Sequence, residues 1–304
     1  MKPRTWAALL RALWGLTSAG ALAACGSDGA ASPDRTGVAT SDWILFTSSR
    51  DGNFNIFRMH ADGSVVRTLT AHDSVDQNAD FSPDGADFAF MSNRSGLYHV
   101  YLLGVDGKNL RQLTSGASAN GFPRWSPDGR RLLFTSSRDS NFELYVMEAN
   151  GSGPIRLTFN PDEDQGGAWS PDGSRIAFVS GRGATRDLFV MRADGSGLVR
   201  LTNDGTEKGA RVAWSPDGTK IAFHAYRDAT ADIFIVNTDG TNPRALTTHP
   251  ANDRFPIWSP DGTRIAFAST REVDDEIWLM NADGTHLARL TRSPGVDIPD
   301  AWHR

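Results

Sequence analysis

Trp214-Ser215-Pro216-Asp217-Gly218-Thr219-Lys220-Ile221-Ala222-Phe223 sets the architecture because it is one copy of a repeat. Ser-Pro-Asp-Gly stands at 82–85, 126–129, 170–173, 215–218 and 259–262, at spacings of 44, 44, 45 and 44 residues. A fixed period of this size marks an array of one supersecondary unit. Two further markers keep the same phase. Leu-Thr begins at Leu69, Leu113, Leu157, Leu201, Leu246 and Leu290, and arginine recurs at Arg50, Arg94, Arg138, Arg182, Arg227 and Arg271. Both occur six times, so the array has six units although the turn motif occurs five times.

Each unit reads as four short strands. Strand A ends in an aromatic residue just before the turn, as Trp125 precedes Ser126. In the turn, proline presets φ while aspartate and glycine accept the remaining geometry. Strand B alternates, as in Leu132 and Phe134, Ile176 and Phe178, Ile221 and Phe223, Ile265 and Phe267, which is the period of a sheet. Strand C is a continuous apolar run at 144–147, 188–191 and 277–280. Both of its faces are therefore buried, as in a strand between stacked sheets. Asp-Gly or Asn-Gly at 62–63, 106–107, 150–151, 194–195, 239–240 and 283–284 signals the hairpin into strand D. Four strands every 44 residues is the size of a propeller blade. The expected fold class is all-β, a six-bladed β-propeller over residues 42–304. The first strand, from Trp43, is of type B, and the last, at Trp302, is of type A, 44 residues after Trp258. One blade is thus assembled from both termini, which removes an open edge.

The repeat Trp214-Ser215-Pro216-Asp217-Gly218 with Lys220-Ile221-Ala222-Phe223 resembles the TolB-type propeller repeat, from about Asp42 to Trp302. The resemblance implies protein partners in a bacterial cell envelope. TolB proper has an α/β domain before its propeller and is soluble in the periplasm, whereas this chain is read as lacking room for that domain and as lipidated itself. Some TolB-like propellers resemble oligogalacturonate lyases with a metal in the channel. That implies the alternative reading, a carbohydrate-binding or metal-dependent lyase-like propeller.

The address is written in residues 1–24, a signal peptide with Lys2 and Arg4 followed by an apolar run of 13 residues, Ala12 to Ala24. That run is too short for a mature membrane-spanning helix. Leu22-Ala23-Ala24-Cys25 resembles the bacterial lipobox, which implies a diacylated Cys25. Gly26 and Ser27 follow in place of the aspartate usual in inner-membrane lipoproteins, so the resemblance implies the periplasmic side of the outer membrane in a Gram-negative host. Residues 25–41, rich in Gly, Ala, Ser and Pro, read as a flexible tether. Such a chain spans roughly 20–25 Å, and the acyl chains supply the anchoring.

Composition narrows the function. The chain of 304 residues has a formal net charge of −5, and loss of Lys2, Arg4 and Arg11 with the signal peptide takes it to −8. No basic face for phosphate neutralisation is in view, so nucleic acid is not a partner. One cysteine allows neither an intramolecular disulfide nor a cysteine-based zinc site. Gly-x-Ser-x-Gly, His-Glu-x-x-His and phosphate-binding glycine loops are missing from the sequence. The five strand-A tryptophans recur with the fold and read as core.

Strand direction sorts the loops. The Ser-Pro-Asp-Gly turns and Asp-Gly hairpins share a lower face, and the variable B-to-C and D-to-A loops share the upper one, where binding surfaces usually reside. Counting back five residues from each strand-A aromatic gives Asp76, Asn120, Asp164, Gly209, Asp253 and Asp297, and Glu207 is expected to substitute at the exception. On the innermost strand, these oxygens would ring the upper mouth of the channel and take Ca²⁺, another divalent cation or a partner's basic group. Alternatively they pair with the repeated arginines, which read as structural links between blades. The leading functional reading is a monomeric, non-enzymatic lipoprotein that binds an envelope protein or peptide through its upper face and channel mouth, with no certain cofactor.

Overall fold

The computed structural model describes residues 41–227 and 229–304. The signal peptide, Cys25 and all of the tether but its last residue, Ser41, lie outside the described residues. The chain forms strands β1 to β24, numbered in order, which pair into six antiparallel four-stranded sheets. There is no helix among the described residues. The innermost strands are β4 (Asp76–Phe81), β8 (Asn120–Trp125), β12 (Asp164–Trp169), β16 (Glu207–Trp214), β20 (Asp253–Trp258) and β24 (Asp297–His303). They touch one another in cyclic order, so the sheets form a closed six-bladed propeller.

The repeated turn is held by its own side chains. Ser126 Oγ donates to Asp128 Oδ1 at 2.6 Å and accepts from the Arg131 amide at 2.9 Å. Gly129 occupies φ +70°, a region that glycine enters without steric penalty. The core lies between blades. Val179, Leu188 and Val190 of one sheet pack against Val212, Trp214, Ile221 and Phe223 of the next. This explains why strand C is apolar on both faces.

Closure uses the same physics. Strand β24 pairs with β1 (Trp43–Ser48), placing Ile44 opposite Trp302 and Ser48 opposite Asp297. Ile44, Phe46, Phe57 and Met59 then pack on Ile257, Ala266, Ile277 and Leu279 of the last blade. Arg50 Nη2 meets the fully buried Asp297 at 2.8 Å across 247 residues of chain. Ser48 Oγ and Ser293 Oγ donate to the same carboxylate at 2.5 and 2.7 Å.

Asp297→Asn removes the charge that this closure is built around, and breaking a buried pair is strongly destabilising. The expected loss is about 3 kcal/mol, read as a lower urea midpoint with unchanged slope. A midpoint that does not move would show that Asp297 has no part in holding the ring shut.

Candidate functional site

The five counted polar residues do occupy one structural position. Asp76, Asn120, Asp164, Asp253 and Asp297 open the innermost strands, facing Ser92, Ser136, Ser180, Ser269 and Ser48. All five are buried. Each meets the arginine two residues beyond its serine: Arg94 to Asp76 at 2.9 Å, Arg271 to Asp253 at 2.7 Å, Arg50 to Asp297 at 2.8 Å and Arg182 to Asp164. Arg138 Nη2 donates to Asn120 at 3.2 Å. The guanidinium also lies over aromatic rings of its own blade, as Arg94 lies 5.2 Å from the Phe90 centroid and 5.0 Å from that of Tyr101.

These bonds run within one blade, whereas the sequence reading expects links between blades. The arginine leaves strand B only two residues after the serine, so its side chain folds back over its own sheet. A partner's basic group would have to displace that arginine to reach the carboxylate. Among the described residues, no three His, Cys, Asp or Glu side chains are placed to hold a metal ion. The four carboxylates at this position are each paired with an arginine of their own blade.

The fifth blade departs from the pattern. Lys208 faces Ala225 at the register where the other blades set a carboxylate or amide against serine. The inserted residue is absorbed in a bulge, since Gly209, Ala210 and Arg211 lie opposite His224 alone. A Cβ on Gly209 would stand 1.8 Å from the His224 ring, so only glycine fits. Glu207 consequently does not replace the missing carboxylate. It lies half-buried against Arg186, whose amide donates to it at 2.9 Å. Lys208 Nζ is held by Asp204 and by the Thr206 carbonyl at 2.7 Å. Arg227 lies 4.6 Å from the Phe234 centroid and has no ion-pair partner among the described residues.

Farther along the innermost strands, bulges aim side chains at the axis. Asn78, Phe122, Gly166 and Phe255 adopt φ of 55°, 54°, 62° and 58°, a region that opposes most side chains. Gly166 has no alternative, because a Cβ there would lie 1.3 Å from the Ala210 carbonyl oxygen. Asn78, Phe122, Phe255 and Ile298 surround an axial void of about 10 Å³ with Thr47, Arg211 and Asp300, room for one water at most. The channel is therefore plugged. Arg211 and Asp300 form a buried pair at 3.2 Å, and Thr47 Oγ1 donates to Asp300 at 2.6 Å. Burial pushes Arg211 down to about 10 and raises Asp300 in spite of Arg211.

Below the plug, a cavity of about 280 Å³ opens among the Ser-Pro-Asp-Gly turns. Trp125, Trp169, Trp214, Trp258 and Trp302 wall it, and Asp80, Arg124, Arg211 and Asp300 supply its charges. The tryptophans are both core and cavity wall. Sequence reasoning missed these four charged residues. For Asp80 and Arg124 a signal existed, because the residue before the strand-A aromatic is Ala168, Ala213, Ile257 or Ala301 in the other four units.

Burial raises Asp80 to about 6, offset by Arg124, by the Trp125 amide, which donates to it at 2.7 Å, and by Arg211. A carboxyl raised on folding contributes stability that is complete below its unfolded pKa and is lost as pH rises through about 6. Relative to Asp80→Asn, the native protein should thus lose about 1–3 kcal/mol between pH 4 and pH 6 to 7. Urea titrations across that range test it; parallel stability profiles for the two proteins would contradict the raised pKa.

The family described as the TolB beta propeller domain matches residues 115–213 and 208–303. TolB from Acinetobacter baumannii is similar with a TM-score of 0.77 and 25% identity, over 88% of this chain and 68% of that one. A putative TolB from Agrobacterium tumefaciens is similar with a TM-score of 0.68 and 22% identity, over 86% and 92%. An oligogalacturonate lyase in complex with manganese shares the fold with a TM-score of 0.59 and 16% identity, over 82% and 74%. No curated protein matches the sequence. With six four-stranded blades closed by both termini and a family match over more than half its length, the chain belongs to the TolB β-propeller family.

Proposed function

We propose that the chain is a monomeric, non-enzymatic lipoprotein of the bacterial cell envelope that binds a protein or peptide partner through the upper-face loops. Cys25 carries the anchor, and residues 26–41 hold the propeller clear of the periplasmic side of the outer membrane. Family membership supports an envelope role. One surface observation carries the choice of face: among the described residues, the two most exposed large apolar side chains, Val273 at 96% and Phe159 at 75%, both stand on upper loops. Apolar side chains held in water are candidates for contact with a partner. Phe159 is also braced, with the Arg156 guanidinium 4.7 Å from its ring centroid. Exposed Asp51, Asp73, Asp162 and Asp274 lie in loops of the same face, so the fitting partner is apolar and basic. Contact comes through these loops and not through the ion-paired carboxylates beneath them.

Phe159→Ser combined with Val273→Ser should weaken partner capture by about tenfold, the scale of a lost interface anchor, while the thermal midpoint stays in place. A photo-crosslinking residue at position 159, in native cells, reads the contact directly. Capture of the same protein adduct at full yield by the double variant would overturn the assignment of this face. Separately, Cys25→Ser should move the protein from the membrane fraction to the soluble fraction and abolish palmitate labelling. Membrane retention of that variant would refute the anchor.

A further inference from the structure

Asp80 and Arg124, below the plug, are not required by the repeat. Four of the six units fill the same inner-strand position with Ala168, Ala213, Ile257 and Ala301, so a propeller of this chain packs with small or apolar residues there. Setting a partly buried guanidinium at Arg124 on an open, tryptophan-lined wall carries a desolvation penalty. Asp80 and Asp300 attract Arg124 through space, but neither meets it as a close ion pair. Arg124 Nη1 donates to the Ala79 and Pro123 carbonyls at 3.4 and 3.1 Å, and Arg124 has no ion-pair partner among the described residues. The nearby carboxylates are engaged elsewhere. Asp80 accepts the Trp125 amide at 2.7 Å, and Asp300 is held by Thr47 and Arg211. Arg124 therefore offers the unused edge of its planar donor fork to the cavity, and such a fork matches a carboxylate.

We propose that this lower cavity binds the carboxylate of an apolar ligand, with Arg124 clamping the carboxylate and the tryptophans packing the apolar body. The volume of about 280 Å³ suits one large side chain with its carboxylate. A free monocarboxylic acid and the C-terminal residue of a chain share this chemistry. Phe122 and Phe255 line the axial void and not this cavity, whose tryptophans stand at the Ser-Pro-Asp-Gly end of the innermost strands, away from the upper-loop partner surface.

Five tryptophans wall the cavity, so their fluorescence reports occupancy. The full-length protein in detergent would be titrated with N-acetyl-L-phenylalanine, with its amide, and with an acetylated hexapeptide ending in phenylalanine. The expected result is a saturable change for at least one carboxylate probe, about tenfold tighter than for the amide. Tighter binding of the hexapeptide identifies a chain terminus as the source, and tighter binding of the free acid identifies a small molecule. Arg124→Ala, which copies the sister units, and Arg124→Gln should both erase the preference for carboxylate over amide while the protein remains folded, as read by a cooperative thermal transition. Equal affinity of acid and amide for the native protein overturns the proposal even if neither variant folds. So does the lack of any saturable change up to the solubility limit of the acids, or a preference that survives in a folded Arg124 variant.

Discussion

A blade whose middle strands are apolar on both faces needs a neighbour on each side, and six sheets meet that demand only as a closed ring. The rest of the structure depends on this constraint. It makes the first and last strands partners, and it places Phe46 and Phe57 against Ile257 and Leu279 as though the chain were continuous there. Pairing β24 with β1 supplies the backbone bonds, and the Arg50 and Asp297 pair fastens the same seam with a buried charge. Hydrophobic packing alone would tolerate a slipped register. A fully buried carboxylate that must meet one guanidinium and two hydroxyls tolerates very few.

Closure also crowds the axis. Six innermost strands cannot converge without local adjustment, and bulges supply it by letting two or three residues face one. Four blades solve the problem with a left-handed residue, at Asn78, Phe122, Gly166 and Phe255. The other two, bearing Arg211 and Asp300, bring a buried ion pair to the axis instead. The plug divides the molecule. Above it lie variable loops over carboxylates already paired with arginine; below it lies a tryptophan-walled cavity with Arg124 at its edge. Two faces with different chemistry result from one repeat.

Repetition explains why the carboxylates near the upper mouth are poor candidates for contact with a ligand. A side chain present in nearly every blade answers a need that every blade has, here the joining of strand A to the B-to-C loop through serine and arginine. The informative residues are the ones that break the repeat. Lys208 and Ala225 replace carboxylate and serine together, Gly209 makes room for His224, and Asp80 and Arg124 stand where alanine or isoleucine would serve.

The sequence by itself determined the blade count, the four strands per blade, the turn chemistry and the assembly of one blade from both termini. Those properties follow from local periodicity and turn stereochemistry, which one unit displays in full. Aspartates at one repeat position, Asp76, Asp164, Asp253 and Asp297, were legible as well. Their burial and their arginine partners were not, because a count along the chain does not say which way a guanidinium folds. Nor could Asp80, Arg124, Arg211 and Asp300 be gathered by any motif, since they lie on four different innermost strands and approach one another only when the ring closes. Closure is a property of six blades acting together, and for that reason the tertiary structure alone decided where the cavity lies and which charges reach it.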